Sequence, residues 1–150
     1  MSRGIGGYMN LITADDTMLI YSYCCYNVNN DDWREMQKME DGEICIDRAA
    51  LVEPEIHQRI KRMPSGRKKL IVKKIPRDYS FSNMLEIGQV TIKNASGTWM
   101  KSPDGIDLMA CKMLFKFFRE YQETGVMQEH ISYFCYYVDW MKIEREIVYF

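Results

Sequence analysis

Apolar and polar residues alternate in the N-terminal part of the chain, which predicts a pair of strands. Tyr8, Asn10, Ile12 and Ala14 fall on one side, with Met9, Leu11 and Thr13 on the other. After Asp15 and Asp16, Met18, Ile20, Ser22 and Cys24 alternate with Leu19, Tyr21, Tyr23 and Cys25. A period of two is the pattern of a half-buried strand, and aspartates tolerate turn geometry. "EICID" at 43–47, "KKLIVKKI" at 68–75, "QVTIKNA" at 89–95 and "EHISYFCYYV" at 129–138 predict further strands. The polar stretch 27–42 between the first of these reads as an acidic loop or a frayed helix.

A helical period appears from about Asp104 to Thr124. Ile106, Met109, Ala110, Met113, Leu114, Phe117, Phe118 and Tyr121 form one continuous apolar face. Ser102 and Asp104 are capping candidates, and Gly125 closes the C-terminus. The same reasoning predicts a helix over 52–63. Pro54 occupies a first helical position there, and Val52, Ile56, Ile60 and Met63 share a face. Glu53 and Glu55 stand at its start, Arg59, Lys61 and Arg62 at its end, and Pro64–Gly66 stops it. "DYSFSNMLEIG" at 78–88 predicts a short helix, and "DWMKIEREIVYF" at 139–150 a strand or helix packing back. The expected class is α+β: a single mainly antiparallel sheet, one long amphipathic helix at about 104–124, and one or two shorter helices packed on it. Residues 1–150 are expected to form a single compact domain.

Composition supports folding, with 47% hydrophobic and 27% charged residues. The net charge of −1 conceals a strong asymmetry. Residues 57–77 hold nine of the twenty Lys and Arg residues and no acid, while Asn29–Glu43 hold six acids and two bases. The two regions could face each other or be plain solvated surface. No run approaches the ~18 apolar residues of a membrane span, and the N-terminus lacks a secretory pattern. Five cysteines, without metal-like spacing, read as reduced structural thiols of a cytoplasmic protein.

Most chemistries fail on their spacing. The two histidines, His57 and His130, have no Cys-x-x-Cys beside them, and a calcium loop at Asn29–Glu40 fails at Trp33 and Arg34. Gly4–Gly7 precede a strand, so they cannot place a phosphate at a helix start. No nucleophile motif is present, and turns and caps account for the paired carboxylates Asp15/Asp16, Asp31/Asp32 and Asp104/Asp107. No metal or cofactor is expected, and an enzyme with a site assembled from distant residues ranks third.

Binding modules rank above it. The leading expectation is a small inhibitor or immunity-type protein that neutralises a basic, nuclease-like toxin through Asp31, Asp32, Trp33, Glu35, Glu40 and Asp41. Tyr21, Tyr23 and Tyr26 could add aromatic anchors, or form a sheet face beneath the long helix. The alternative is a nucleic-acid or phosphate-ligand protein using 59–77, with Arg62, Arg67, Lys68, Lys69, Lys73 and Lys74 as contacts. That segment contains no aromatic residue, so it offers single strands no stacking platform.

Overall fold

A computed structural model describes residues 4–27, 39–75 and 77–136. The architecture is α+β with antiparallel sheets. Strands β1 (Gly4–Ala14), β2 (Met18–Asn27), β3 (Gly42–Asp47), β6 (Val90–Lys93) and β7 (His130–Tyr136) form a five-stranded sheet in the order β6-β3-β2-β1-β7. All four pairings are antiparallel. The turn after β1 is held by Asp15, whose carboxylate accepts from the Thr17 and Met18 amides at 2.7 Å each. Gly6 is required inside β1 because a Cβ there would lie 2.2 Å from the Tyr133 carbonyl oxygen. Gly4–Gly7 are thus strand residues, not a phosphate loop.

Helix α1 (Phe81–Glu86) begins on Ser80, which caps the Asn83 amide, and gives way to Gly88 at φ 78°. Helix α2 (Leu108–Thr124) carries the predicted apolar face. Its cap is Asp107 rather than Ser102 or Asp104, and Gly125 closes it in the left-handed conformation at φ 71°. The core lies between α2 and one sheet face. Met9, Leu19, Tyr21, Tyr23, Ile44 and Ile46 meet Met113, Leu114, Phe117 and Phe118 there, all essentially buried. Tyr21 and Phe117 make an edge-to-face contact at 5.6 Å between ring centroids. Tyr21 and Tyr23 are therefore core residues. Among the described residues no helix is long and apolar enough to cross a membrane.

Two expectations are overturned by one element. Residues 52–63 form no helix: β4 (Glu55–Arg62) pairs with β5 (Lys68–Ile75) in a separate two-stranded sheet, so the fold has two sheets rather than one. Ile56 and Ile60 are four residues apart, a spacing that serves a helix face and a strand face equally. The turn decides between them. Gly66 donates to the Met63 carbonyl at 2.9 Å and the Met63 amide donates to Arg67 at 2.8 Å, with Gly66 at φ 83°. This is a type I turn with Pro64 in its favoured second place, followed by a glycine bulge, and it closes hairpins. Pro64–Gly66 thus reverses a ribbon instead of ending a helix. β5 itself matches its predicted span.

The sheet, the loop before α2 and the start of α2 meet at Asp107, which is 1% exposed. Its Oδ1 accepts from the Met109 amide at 2.9 Å, and its Oδ2 lies 2.9 Å from the Tyr23 hydroxyl, 2.9 Å from Thr98 Oγ1 and 3.3 Å from Cys25 Sγ. Burial raises the Asp107 pKa, outweighing the hydrogen bonds that lower it. Hydrogen counting agrees. Thr98 Oγ1 is 2.8 Å from the Ala95 carbonyl as well as near Asp107, and its one hydrogen serves only one of them. A proton on Asp107 resolves the conflict, with Asp107 donating to Thr98 and Thr98 to Ala95.

Because folding raises this pKa, the stability from Asp107 is complete below its ordinary value of 3.8 and is lost as pH rises through the folded value. Asp107→Asn, neutral at every pH and a good cap, should remain folded and flatten that part of the stability–pH profile in urea titrations. Asp107→Ala should cost roughly 2–4 kcal/mol, from a lost cap and stranded hydroxyls. A profile identical for Asp107 and Asn would refute a titrating carboxyl here.

Candidate functional site

The β4–β5 hairpin is the most exposed element described. All eight β4 residues and six of the eight in β5 are exposed. From Glu55 to Ile75 it carries eight Lys and Arg residues against Glu55 alone, leaving twelve bases and twenty acids for the rest of the chain. A basic arm thus stands on an acidic body. At ~3.3 Å per residue its strands reach about 26 Å.

Register sorts its side chains into two faces, since paired residues share a side. One face carries His57 with Lys73, Arg59 with Ile71, and Lys61 with Lys69. A shallow concavity there is lined by His57, Arg59, Ile71 and Lys73. The other face has an apolar centre, Ile60 opposite Leu70 and Val72 opposite Gln58, extended by Ile56 opposite Lys74. Arg62 and Lys68 close that face at the tip. Ile56, Ile60, Leu70 and Val72 are 55%, 69%, 58% and 49% exposed. Side chains that large are rarely left in water as a contiguous group without a partner surface.

The base of the arm is tied to the end of α2. Lys74 Nζ donates to the Thr124 carbonyl at 3.4 Å, where the helix dipole favours a cation. Gln122 Nε2 donates to the Arg77 carbonyl at 2.7 Å. Among the described residues, the carboxylate recorded against the hairpin's basic side chains is Glu55, 2.9 Å from His57 Nε2. No described acid from the body lies within 4 Å, ion-pair distance, of the ribbon's cations, although Glu53 and Lys74 line one concavity at its base.

The acidic surface fares differently. Asp31, Asp32, Trp33 and Glu35 lie outside the described residues. Glu40 accepts from Asn10 Nδ2 at 2.8 Å and Ser22 Oγ at 2.7 Å, and Asp41 accepts from the Ser96 amide at 2.9 Å. The Ser96 bonds hold the Asp41 carboxyl below its ordinary pKa. Both of these acids already serve the fold. His130 contacts Asn10, and thereby Glu40, on the outer face of the sheet, with Tyr8 stacked beside it. Cys24, opposite Tyr8 and hydrogen-bonded to it, is buried, and burial raises its thiol pKa; Ser22 is bonded to Glu40. No group of three or more metal-ligating side chains occurs among the described residues.

No protein-family model matches the chain, and no curated protein or solved structure does. The function must be argued from the geometry itself.

Of the six basic residues singled out in the sequence, Arg62, Arg67, Lys68, Lys69, Lys73 and Lys74 all belong to the hairpin or its turn. Sequence reading missed a second basic group, Lys112, Lys116 and Arg119, spaced at i, i+4 and i+7 on the outward side of α2. The apolar face of the same helix supplied the dominant signal, although the cationic stripe was present in the same residues.

An uncovered two-stranded ribbon is marginally stable on its own. Its backbone amides should exchange with deuterium far faster than the β1–β2 ladder, and Gly66→Ala should speed them further, since left-handed backbone costs a side chain about 1–2 kcal/mol. Equal protection of both ladders would contradict this.

Proposed function

We propose that this chain is a nucleic-acid-binding protein whose basic β-ribbon enters a groove of duplex DNA or RNA. One observation carries the reading: eight cations of an otherwise acidic chain are gathered on a hairpin exposed along both faces. The major groove of B-DNA, ~12 Å wide, admits a two-stranded ribbon. Cations along Arg59, Lys61, Lys69 and Lys73 are placed to neutralise phosphates and release counterions. The acidic body is repelled by the same phosphates, which would confine contact to the arm and orient it.

The apolar face has a use in the same setting. Ile56, Ile60, Leu70 and Val72 can pack on sugars and thymine methyl groups that water covers poorly. The absence of aromatic residues from the ribbon argues for a duplex, because sequence-tolerant binding of single strands relies on stacking. Neutralisation of a basic protein through the acidic segment is the rival reading. Its three described carboxylates, Glu40, Asp41 and Glu43, each accept a hydrogen bond within the fold.

Fluorescence anisotropy with a duplex and a matching single strand, across a salt series, tests the proposal. The duplex should bind more tightly. Replacing Arg59, Lys61 and Lys69 by Gln should weaken it and reduce the magnitude of the log–log salt slope by about 3, near 0.9 for each lost phosphate contact. Absence of duplex binding at low salt would sink the reading. Capture of a basic protein, lost on charge reversal of Asp31, Asp32, Glu40 and Asp41, would install the rival.

A further inference from the structure

A cavity of about 340 Å³ opens beside the outward face of α2, at the small end of the range of ligand sites. Lys112, Lys116 and Arg119 reach it from the helix, Arg77 and Tyr79 from the connection between β5 and α1, and Tyr133 from β7. Four cations therefore line it against one carboxylate, Asp78. Like charges gathered around one concavity repel each other, an arrangement that an anion relieves.

Lys116 is already committed, since its Nζ donates to the Ser132 carbonyl at 2.7 Å and stands 4.0 Å from Glu120. Among the described residues no carboxylate is paired with Arg77, Lys112 or Arg119. Three cations without a described carboxylate partner, two of them arginines with fork geometry, suit a multiply charged oxyanion better than a single carboxylate. The walls are aromatic. Tyr79 is braced by Phe118 at 5.2 Å between centroids, and the Tyr133 ring lies 5.6 Å from Lys112 Nζ. Rings fixed next to cations offer a planar ligand both a stacking surface and a charge anchor.

We propose that this cavity binds a nucleoside phosphate, with the phosphate at Arg77, Lys112 and Arg119 and the planar base against Tyr79 and Tyr133. Gln122 acts as a positioning residue, because its bond to the Arg77 carbonyl fixes the strand-to-helix connection over the cavity. The assignment is independent of the ribbon's role, since the ribbon lies outside this lining.

Calorimetric titration of the full chain with AMP, adenosine and inorganic phosphate tests it. AMP should bind at least ten-fold more tightly than either fragment. Arg119→Gln and Arg77→Gln, both at exposed positions that leave the core intact, should each weaken AMP at least ten-fold. Lys68→Gln with Lys69→Gln, in the ribbon, should leave AMP affinity unchanged. AMP binding no tighter than inorganic phosphate would overturn the proposal. So would AMP affinity indifferent to the Arg77 and Arg119 changes, or one abolished by the ribbon changes.

Discussion

The burial of Asp107 is the constraint on which the arrangement of the chain turns. A lone carboxylate in the interior is costly, and it persists only when its surroundings satisfy it. Here those surroundings come from three places: Tyr23 and Cys25 on the central strand β2, Thr98 on the loop before the long helix, and the Met109 amide in the first turn of α2. Tyr23 also accepts from the Ala95 amide at 2.9 Å, so its hydroxyl joins the loop to the same group. The start of α2 is thereby fixed against the middle of the sheet. From there the helix runs across the core, and its other end meets the hairpin base through Thr124 and Gln122. A single buried group thus sets the direction of the helix that supports the arm and lines the cavity.

Periodicity made much of this fold legible in the sequence. The β1–β2 pair, the strand at 43–47 and the long helix each show one clear period over enough residues to exclude the other. Residues 52–63 failed because Ile56 and Ile60 satisfy both periods, and because charges at the two ends imitate a helix dipole pattern. What distinguishes the alternatives is a partner, "KKLIVKKI", lying five residues beyond across a Pro-Ser-Gly turn. Pairing between segments is a property that no window on one segment contains. Asp107 was visible as one of a pair of acids near a helix start. Its burial was hidden, since the groups that bury it lie between 9 and 84 residues away.

The two basic groups differ in the same way. The ribbon's cations were found because they are contiguous in sequence, and a charge run needs no fold to be noticed. Lys112, Lys116 and Arg119 are diluted by core residues of the same helix, and Arg77 joins them only through the fold. Contiguity is a poor guide to function when a helix exposes one residue in three or four. The acidic segment shows the converse. A conspicuous run of acids drew the leading expectation, yet two of its three described members, Glu40 and Asp41, hold Asn10, Ser22 and Ser96 in place, and the third, Glu43, accepts from Cys45.

The ribbon carries a tension that its role must explain. Ile56, Ile60, Leu70 and Val72 add strand propensity and help the two strands pair, but they do so facing solvent. A ribbon built for stability alone would turn that face to the core, and one built for solubility would make it polar. Keeping it both apolar and flanked by cations ties the order of the arm to what covers it. A ligand that binds only the formed ribbon stabilises it by RT ln(1 + [L]/Kd), about 2.7 kcal/mol at a hundred-fold excess over Kd. For an isolated two-stranded element that is the difference between partial and near-complete order. The same face that makes the arm marginal when bare makes its folding responsive to occupancy, while the body, anchored through Asp107, stays unchanged.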